Sequence, residues 1–176
     1  MSFFKYLAAS IVLITTVLNS SAAPTPLPCV TLKSGLYKIN TVAVTPGLPL
    51  TVGESIATGN ILITEANPPV PGQSIWRLTA AGQGGYNIEN AGLGRNITTF
   101  YFTAESGLIL PVVSSATVPA DTFAIQCAGG GEYVIKSVNA DQLFTTTPSN
   151  IAGISNIELR PSVGSRATQH WNFVAA

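Results

Sequence analysis

The chain has 176 residues, 46% of them hydrophobic and only 9% charged, with eight Lys/Arg balancing eight Asp/Glu. Such a sparse and balanced charge pattern carries no electrostatic footprint for nucleic acid or an anionic membrane, and neither partner is expected. One histidine and two cysteines supply no ligand set for a zinc centre, so no metal or cofactor is expected.

Residues 1–23 read as a secretory signal: Lys5 in a short polar start, an apolar run over residues 7–18, then small residues up to Ala23. That run is too short to span a bilayer, which predicts cleavage near Ala22 or Ala23 and an extracellular product. The remaining 153 residues suit one domain. Residues 24–34 form a proline-rich, extended N-terminal tail, and residues 35–176 form the folded domain. In an oxidising compartment Cys29 and Cys127 are expected to pair as a disulfide, the other reading being two buried thiols. Asn96-Ile97-Thr98 is an N-glycosylation acceptor, which predicts an exposed loop at Asn96.

Within the domain, short β-forming runs separated by Gly, Pro and Asn predict strands at residues 35–39, 48–52, 61–64 and 75–78. The series continues at 86–89, 98–103, 108–113 and 123–126, and then at 133–137, 143–146, 157–160 and 171–174. Residues 53–60 and 92–95 read as turns, and residues 67–72, with three prolines, as a loop. No window of ten or more residues in the mature chain has a capped 3.6-residue period, so the class is all-β.

A repeat organises these strands. Gly-x-Tyr-x-Ile occurs at Gly35, Gly84 and Gly131, spaced 49 and 47 residues apart. Trp76 precedes Gly84 by eight residues and Phe123 precedes Gly131 by eight, while Trp171 near the C-terminus has no copy after it. Circular closure would set Trp171 beside the first copy. Three pseudo-repeats of four strands can pair their first and fourth strands into a six-stranded barrel without free edges, capped by three hairpins. The architecture expected is a β-trefoil, with the Tyr, Ile and Trp/Phe positions inside.

The opening Leu32-Lys33-Ser34-Gly35-Leu36-Tyr37-Lys38-Ile39, the later Gly-x-Tyr-x-Ile copies and the closing Gln169-His170-Trp171-Asn172-Phe173 resemble fungal β-trefoil peptidase inhibitors, the cospin-like serine-protease inhibitors and the mycocypins. Gln169-x-Trp171 is also similar to the Gln-x-Trp signature of ricin-B-type lectins, whereas Gln73-Ser74-Ile75-Trp76 has one residue too many. These motifs are core residues and report fold, so function has to be sought in the loops.

Catalysis has little to stand on. His170 alternates with the inward Trp171 and is expected at the surface, and neither Asp121 nor Asp141 lies in a recognisable catalytic motif. A non-enzymatic, monomeric binding protein is expected. The resemblance implies a secreted peptidase of serine or cysteine type as partner, with glycans as the alternative. For a serine protease it points to the loop between the second and third strands, where Ile56 and Ala57 could enter an apolar or small pocket. Arg166 and Arg95, read as loop arginines, are the candidates for a trypsin-like pocket. Mycocypin-like inhibition would use residues 44–47 and 67–72. Ricin-like lectins place an aspartate just after the first strand of a repeat; Glu89 with Asn90 is the best substitute here, and Asp141 follows.

Overall fold

Each alternating run after a glycine becomes a strand. The computed structural model describes residues 29–42, 47–56, 59–66, 68, 70, 72–100, 102–104, 107–109, 112–164 and 166–176. The expected signal segment, residues 24–28 of the tail, Ala57, residues 44–46 and parts of the 67–72 loop lie outside them.

Six strands close on themselves. They are β1 (Gly35–Thr41), β4 (Trp76–Ala80), β5 (Tyr86–Asn90), β10 (Thr122–Gly129), β11 (Glu132–Ser137) and β14 (Trp171–Ala175). β1 pairs with β4, β4 with β5, β5 with β10, β10 with β11, β11 with β14, and β14 returns to β1. Every ladder is antiparallel and the ring leaves no open edge, which removes the aggregation hazard of an unpaired strand. The last pairing runs from Tyr37 opposite Ala175 to Thr41 opposite Trp171, so the seam lies at the two ends of the domain as the repeat predicts.

The register repeats with the motif. Tyr37 faces Trp76, Tyr86 faces Phe123 and Tyr133 faces Trp171 across neighbouring strands. Trp76, Phe123 and Trp171 are fully buried, as are Ile39, Ile88 and Ile135, and together they centre the core. Burial of each such side chain contributes about 1.5–3 kcal/mol. The indole N–H of Trp76 donates to the Leu50 carbonyl at 2.9 Å, and that of Trp171 to the Phe144 carbonyl at 3.4 Å, so neither buried polar atom is orphaned.

One end of the ring is capped by hairpins. β2 (Leu50–Ile56) pairs with β3 (Gly59–Glu65), β6 (Arg95–Thr99) with β9 (Val112–Ser115), and β12 (Leu143–Pro148) with β13 (Ile154–Arg160). β3 holds the three together by pairing with both β9 and β13. Among the described residues the strands number fourteen where twelve were expected, the second repeat also carrying the pair β7 (Phe102–Ala104) with β8 (Gly107–Ile109). Among the described residues helix is confined to one turn, α1 (Arg166–Gln169), and a 3-10 turn at Gly82–Gly84.

The opposite end is closed by the chain's own start. The hydroxyls of Tyr37, Tyr86 and Tyr133 donate to the carbonyls of Lys33, Leu32 and Val30 at 2.9, 2.5 and 2.8 Å. Leu32 packs against the core. Cys29 is bonded to Cys127 as expected, with Cα atoms 5.6 Å apart. Residues 29–33 therefore cross the barrel mouth as a strap, tied by one covalent bond and by a tyrosine from each motif copy.

Candidate functional site

The segment expected to be a loop at residues 53–60 is mostly strand. Past a bulge after Val52, β2 and β3 pair again, with Ser55 opposite Asn60 and Ile56 opposite Gly59. Backbone groups used in this ladder are not free to pair with a protease cleft, which reads an extended, unpaired segment. Ile56 thus ends β2, paired opposite Gly59, instead of lying in an open loop, and Ala57 lies outside the described residues.

The other loop assignments change in the same direction. Arg95 opens β6, half-buried, and its guanidinium donates to Asn60 Oδ1, linking the second hairpin to the first. Asn96 is a strand residue between Glu89 and Ser115, half-buried, and not a loop tip. Thr98 of the same acceptor motif is buried and donates to Asp121 Oδ2 at 3.3 Å. Arg166 begins α1, whose backbone is helical and not extended.

Glu89 and Asn90 end strand β5. Glu89 is salt-bridged to Arg77 at 3.1 Å. Asn90 is completely buried: its amide donates to the Gln73 carbonyl at 2.7 Å, and its Oδ1 accepts the Leu93 N–H at 3.0 Å. A sugar cannot reach it. The sequence holds the signal for this role, since Thr41, Asn90 and Ser137 stand six residues after the three motif glycines and all three are buried. They face Trp171, Trp76 and Phe123 across the barrel ladders. Thr41 Oγ1 accepts the Leu48 N–H at 3.1 Å, so the position pins the turn that follows a first strand.

His170 is not the surface residue expected from alternation. Its Nδ1 lies 2.9 Å from Glu132 Oε2, with both side chains mostly buried. Among the described residues no three His, Cys, Asp or Glu converge as a metal set. Next to it, Gln169 is buried and organises an exposed segment: its amide donates to Thr145 Oγ1 and to the Pro161 carbonyl, both at 2.9 Å, while its Oε1 accepts the Val163 N–H at 3.2 Å. Residues 161–164 are exposed around this anchor, with Val163 outward.

The described residues also form concave surfaces, two of them away from the strap. A polar basin is made of adjoining hollows of about 360 and 290 Å³ that share Val138 and Asn139. Gln83 and Asp121 line one side, Lys136 and Asp141 the other. Asp121 is rigid there because its Oδ2 also accepts the Thr99 N–H at 2.8 Å and the Thr99 hydroxyl. Asp141 is solvent-exposed and sits 2.6 Å from Lys136 Nζ. That hydrogen bond, reinforced by the lysine charge, holds the Asp141 carboxyl below the usual carboxylate range. A cleft of about 500 Å³, sharing no lining residue with the basin, lies between the first and third hairpins, walled by isoleucines of β3 and β13.

The closed ring with three hairpins has solved counterparts. A designed three-fold symmetric protein, ThreeFoil, matches 81% of this chain and 99% of its own at 18% identity, with a TM-score of 0.66. The Rhizoctonia solani agglutinin matches 85% of this chain and 100% of its own at 20% identity, with a TM-score of 0.67. These are β-trefoil proteins. The fold is a β-trefoil. A Polyporus squamosus lectin, solved with the epitope Neu5Aca2-6Galb1-4GlcNAc, also matches, over 81% of this chain and 49% of its own at 16% identity and a TM-score of 0.64. No protein-family model and no curated protein sequence matches the chain. At these identities the trefoil likeness establishes architecture alone.

Proposed function

We propose that this protein is a secreted, non-enzymatic β-trefoil of three four-stranded pseudo-repeats that binds a glycan in the polar basin beside the β11–β12 loop. The observation that carries this reading is the pairing of Lys136 with Asp141 on an open surface next to Asn139. Sugar hydroxyls need donors and acceptors held side by side; an ammonium, a carboxylate and an amide supply both. Val138, which is 46% exposed, offers an apolar patch for the C–H face of a ring. The aspartate lies in the loop after the third first strand, a few residues later than in ricin-like lectins. Two of the trefoils that share the fold are an agglutinin and a lectin, which supports the reading without deciding it. The disulfide supports secretion.

A second reading, peptidase inhibition, is favoured by a different feature. Residues 161–164 are exposed and preorganised by the buried Gln169, with Val163 presented outward, and a stiff loop loses little entropy on entering a cleft. Here Val163, not Ile56, would meet a pocket for small apolar residues.

One preparation separates the two. The mature protein is applied to a glycan array, and hits are titrated by calorimetry with wild type and an Asn139→Ala/Asp141→Ala variant. The expected result is selective glycan binding weakened at least about tenfold in the variant. Absence of any hit, or undiminished binding by the variant, overturns the glycan reading. The same protein is added in micromolar excess to trypsin, chymotrypsin, elastase, subtilisin and papain, where inhibition lost on Val163→Gly would establish the second reading and full activity throughout would remove it.

A further inference from the structure

We propose that the cleft between the first and third hairpins binds a small organic amine, with its ammonium group at Glu65 and Gln73 and its apolar body against isoleucines. The proposal is independent of the glycan reading, because the cleft and the polar basin have no lining residue in common.

The walls follow from strand alternation. Ile61, Ile63 and Glu65 lie on one face of β3, and the register of β13 sets Ile154 opposite Glu65 and Asn156 opposite Ile63. Leu50, Val52 and Leu62 of the same hairpin belong to the central core. Ile61 and Ile63 alternate with Leu62, so they face away from that core, where polar residues are the usual choice. The turn after β12 brings Ser149, Asn150 and Ile151 to the rim, and Ile151 is half-exposed. Gly53 keeps the cleft open: a Cβ there would stand 2.9 Å from Ile63 Cγ2, so only glycine lets Ile63 lie against the β2 backbone.

Ser149 Oγ accepts the Ile151 N–H, but two other acceptors of this cleft are unmatched. Among the described residues the Glu65 carboxylate has no ion-pair or hydrogen-bond partner, whereas Glu89, Asp141 and Glu158 each hold a cation. Among the described residues Gln73 Oε1, a buried atom, meets no donor, which is costly in an interior where acceptors are normally satisfied. Among the described residues no Lys, Arg or His lines the cleft. Two unpaired acceptors among aliphatic walls call for a ligand that donates hydrogen bonds, carries positive charge and is otherwise apolar. A protonated amine on a hydrocarbon stem meets all three conditions. An anion would be repelled by Glu65, and a polyol, although Ser149, Asn150 and Asn156 could meet some of its hydroxyls, would set the rest against isoleucine. The volume, about 500 Å³, falls within the roughly 300–1,000 Å³ of small-molecule sites.

The test uses three probes of one shape: phenethylamine, 2-phenylethanol and phenylacetate. Each is titrated into the mature protein, with calorimetry for affinity and amide NMR for position. The amine is expected to bind at least about tenfold tighter than the alcohol, with phenylacetate weakest and shifts centred on residues 61–65, 73 and 149–156. Glu65→Gln should bring the amine down to the level of the alcohol, while Ile154→Ala should weaken amine and alcohol alike. Equal binding of all three probes, shifts elsewhere, or an amine preference that survives Glu65→Gln overturns the proposal. A blocked lysine peptide that binds where phenethylamine does not would make the cleft a protein-docking surface and overturn it equally.

Discussion

The barrel and the surface around it obey different rules. In the barrel, one contact recurs three times: Tyr37 with Trp76, Tyr86 with Phe123, Tyr133 with Trp171. On the surface no such recurrence holds. Position five after each motif glycine is Asn40 in the first copy, Glu89 bridged to Arg77 in the second and Lys136 bridged to Asp141 in the third. The second hairpin breaks into two short pairings while the first bulges and the third runs unbroken. Closing a ring imposes one geometry at three places, so the residues that meet there converge. Loops and outer faces answer only to solvent and ligand, and their asymmetry is where binding specificity can reside.

The sharpest test of this contrast lies within one strand. Trp171→Ala removes a fully buried indole and should destabilise the protein by about 3–5 kcal/mol in urea unfolding. Val174→Ala, three residues on and half-exposed, should stay within about 0.5 kcal/mol. Comparable losses would mean that the ring is not the source of stability. Next in size is the strap. Cys29 and Cys127 are separated by 98 positions, and Cys127→Ser or reduction should cost about 2–5 kcal/mol, read as a lower melting temperature that reductant no longer changes in the variant. The smallest effect sets neighbours against each other. Asn90→Ala should cost about 1–3 kcal/mol through its orphaned partners, and Glu89→Gln less than about 1 kcal/mol because Arg77 is half-exposed and solvent screens the pair. Neither change should alter glycan binding.

The ring was legible from Gly35, Gly84, Gly131 and the three aromatics because closure writes the same residues at a fixed spacing. The disulfide followed from compartment and count. The hairpin at Ile56 was not legible, since Gly53 and the polar run after it look like a turn and only pairing with residues 59–60 extends the strand. Asn90 was misplaced for a related reason: its burial depends on the Gln73 carbonyl, 17 residues away, although its equivalence to Thr41 and Ser137 could be counted along the chain. The cleft between the first and third hairpins had no local signature at all. Its walls come from β3 and β13, joined by a register that nothing in either strand announces.

The strap has a consequence for biosynthesis. Residues 29–33 are among the earliest parts of the folded chain to emerge, yet one of their three tyrosine anchors is Tyr133, their covalent partner is Cys127, and β1 lacks one of its two neighbours until Ala175 has been made. The strap thus waits for residues 127–133 before it can be tied, and β1 waits for β14 before it is closed. Until β14 is made the barrel keeps an unpaired edge, so the interval between emergence of β1 and arrival of β14 is when the chain is most exposed to mispairing.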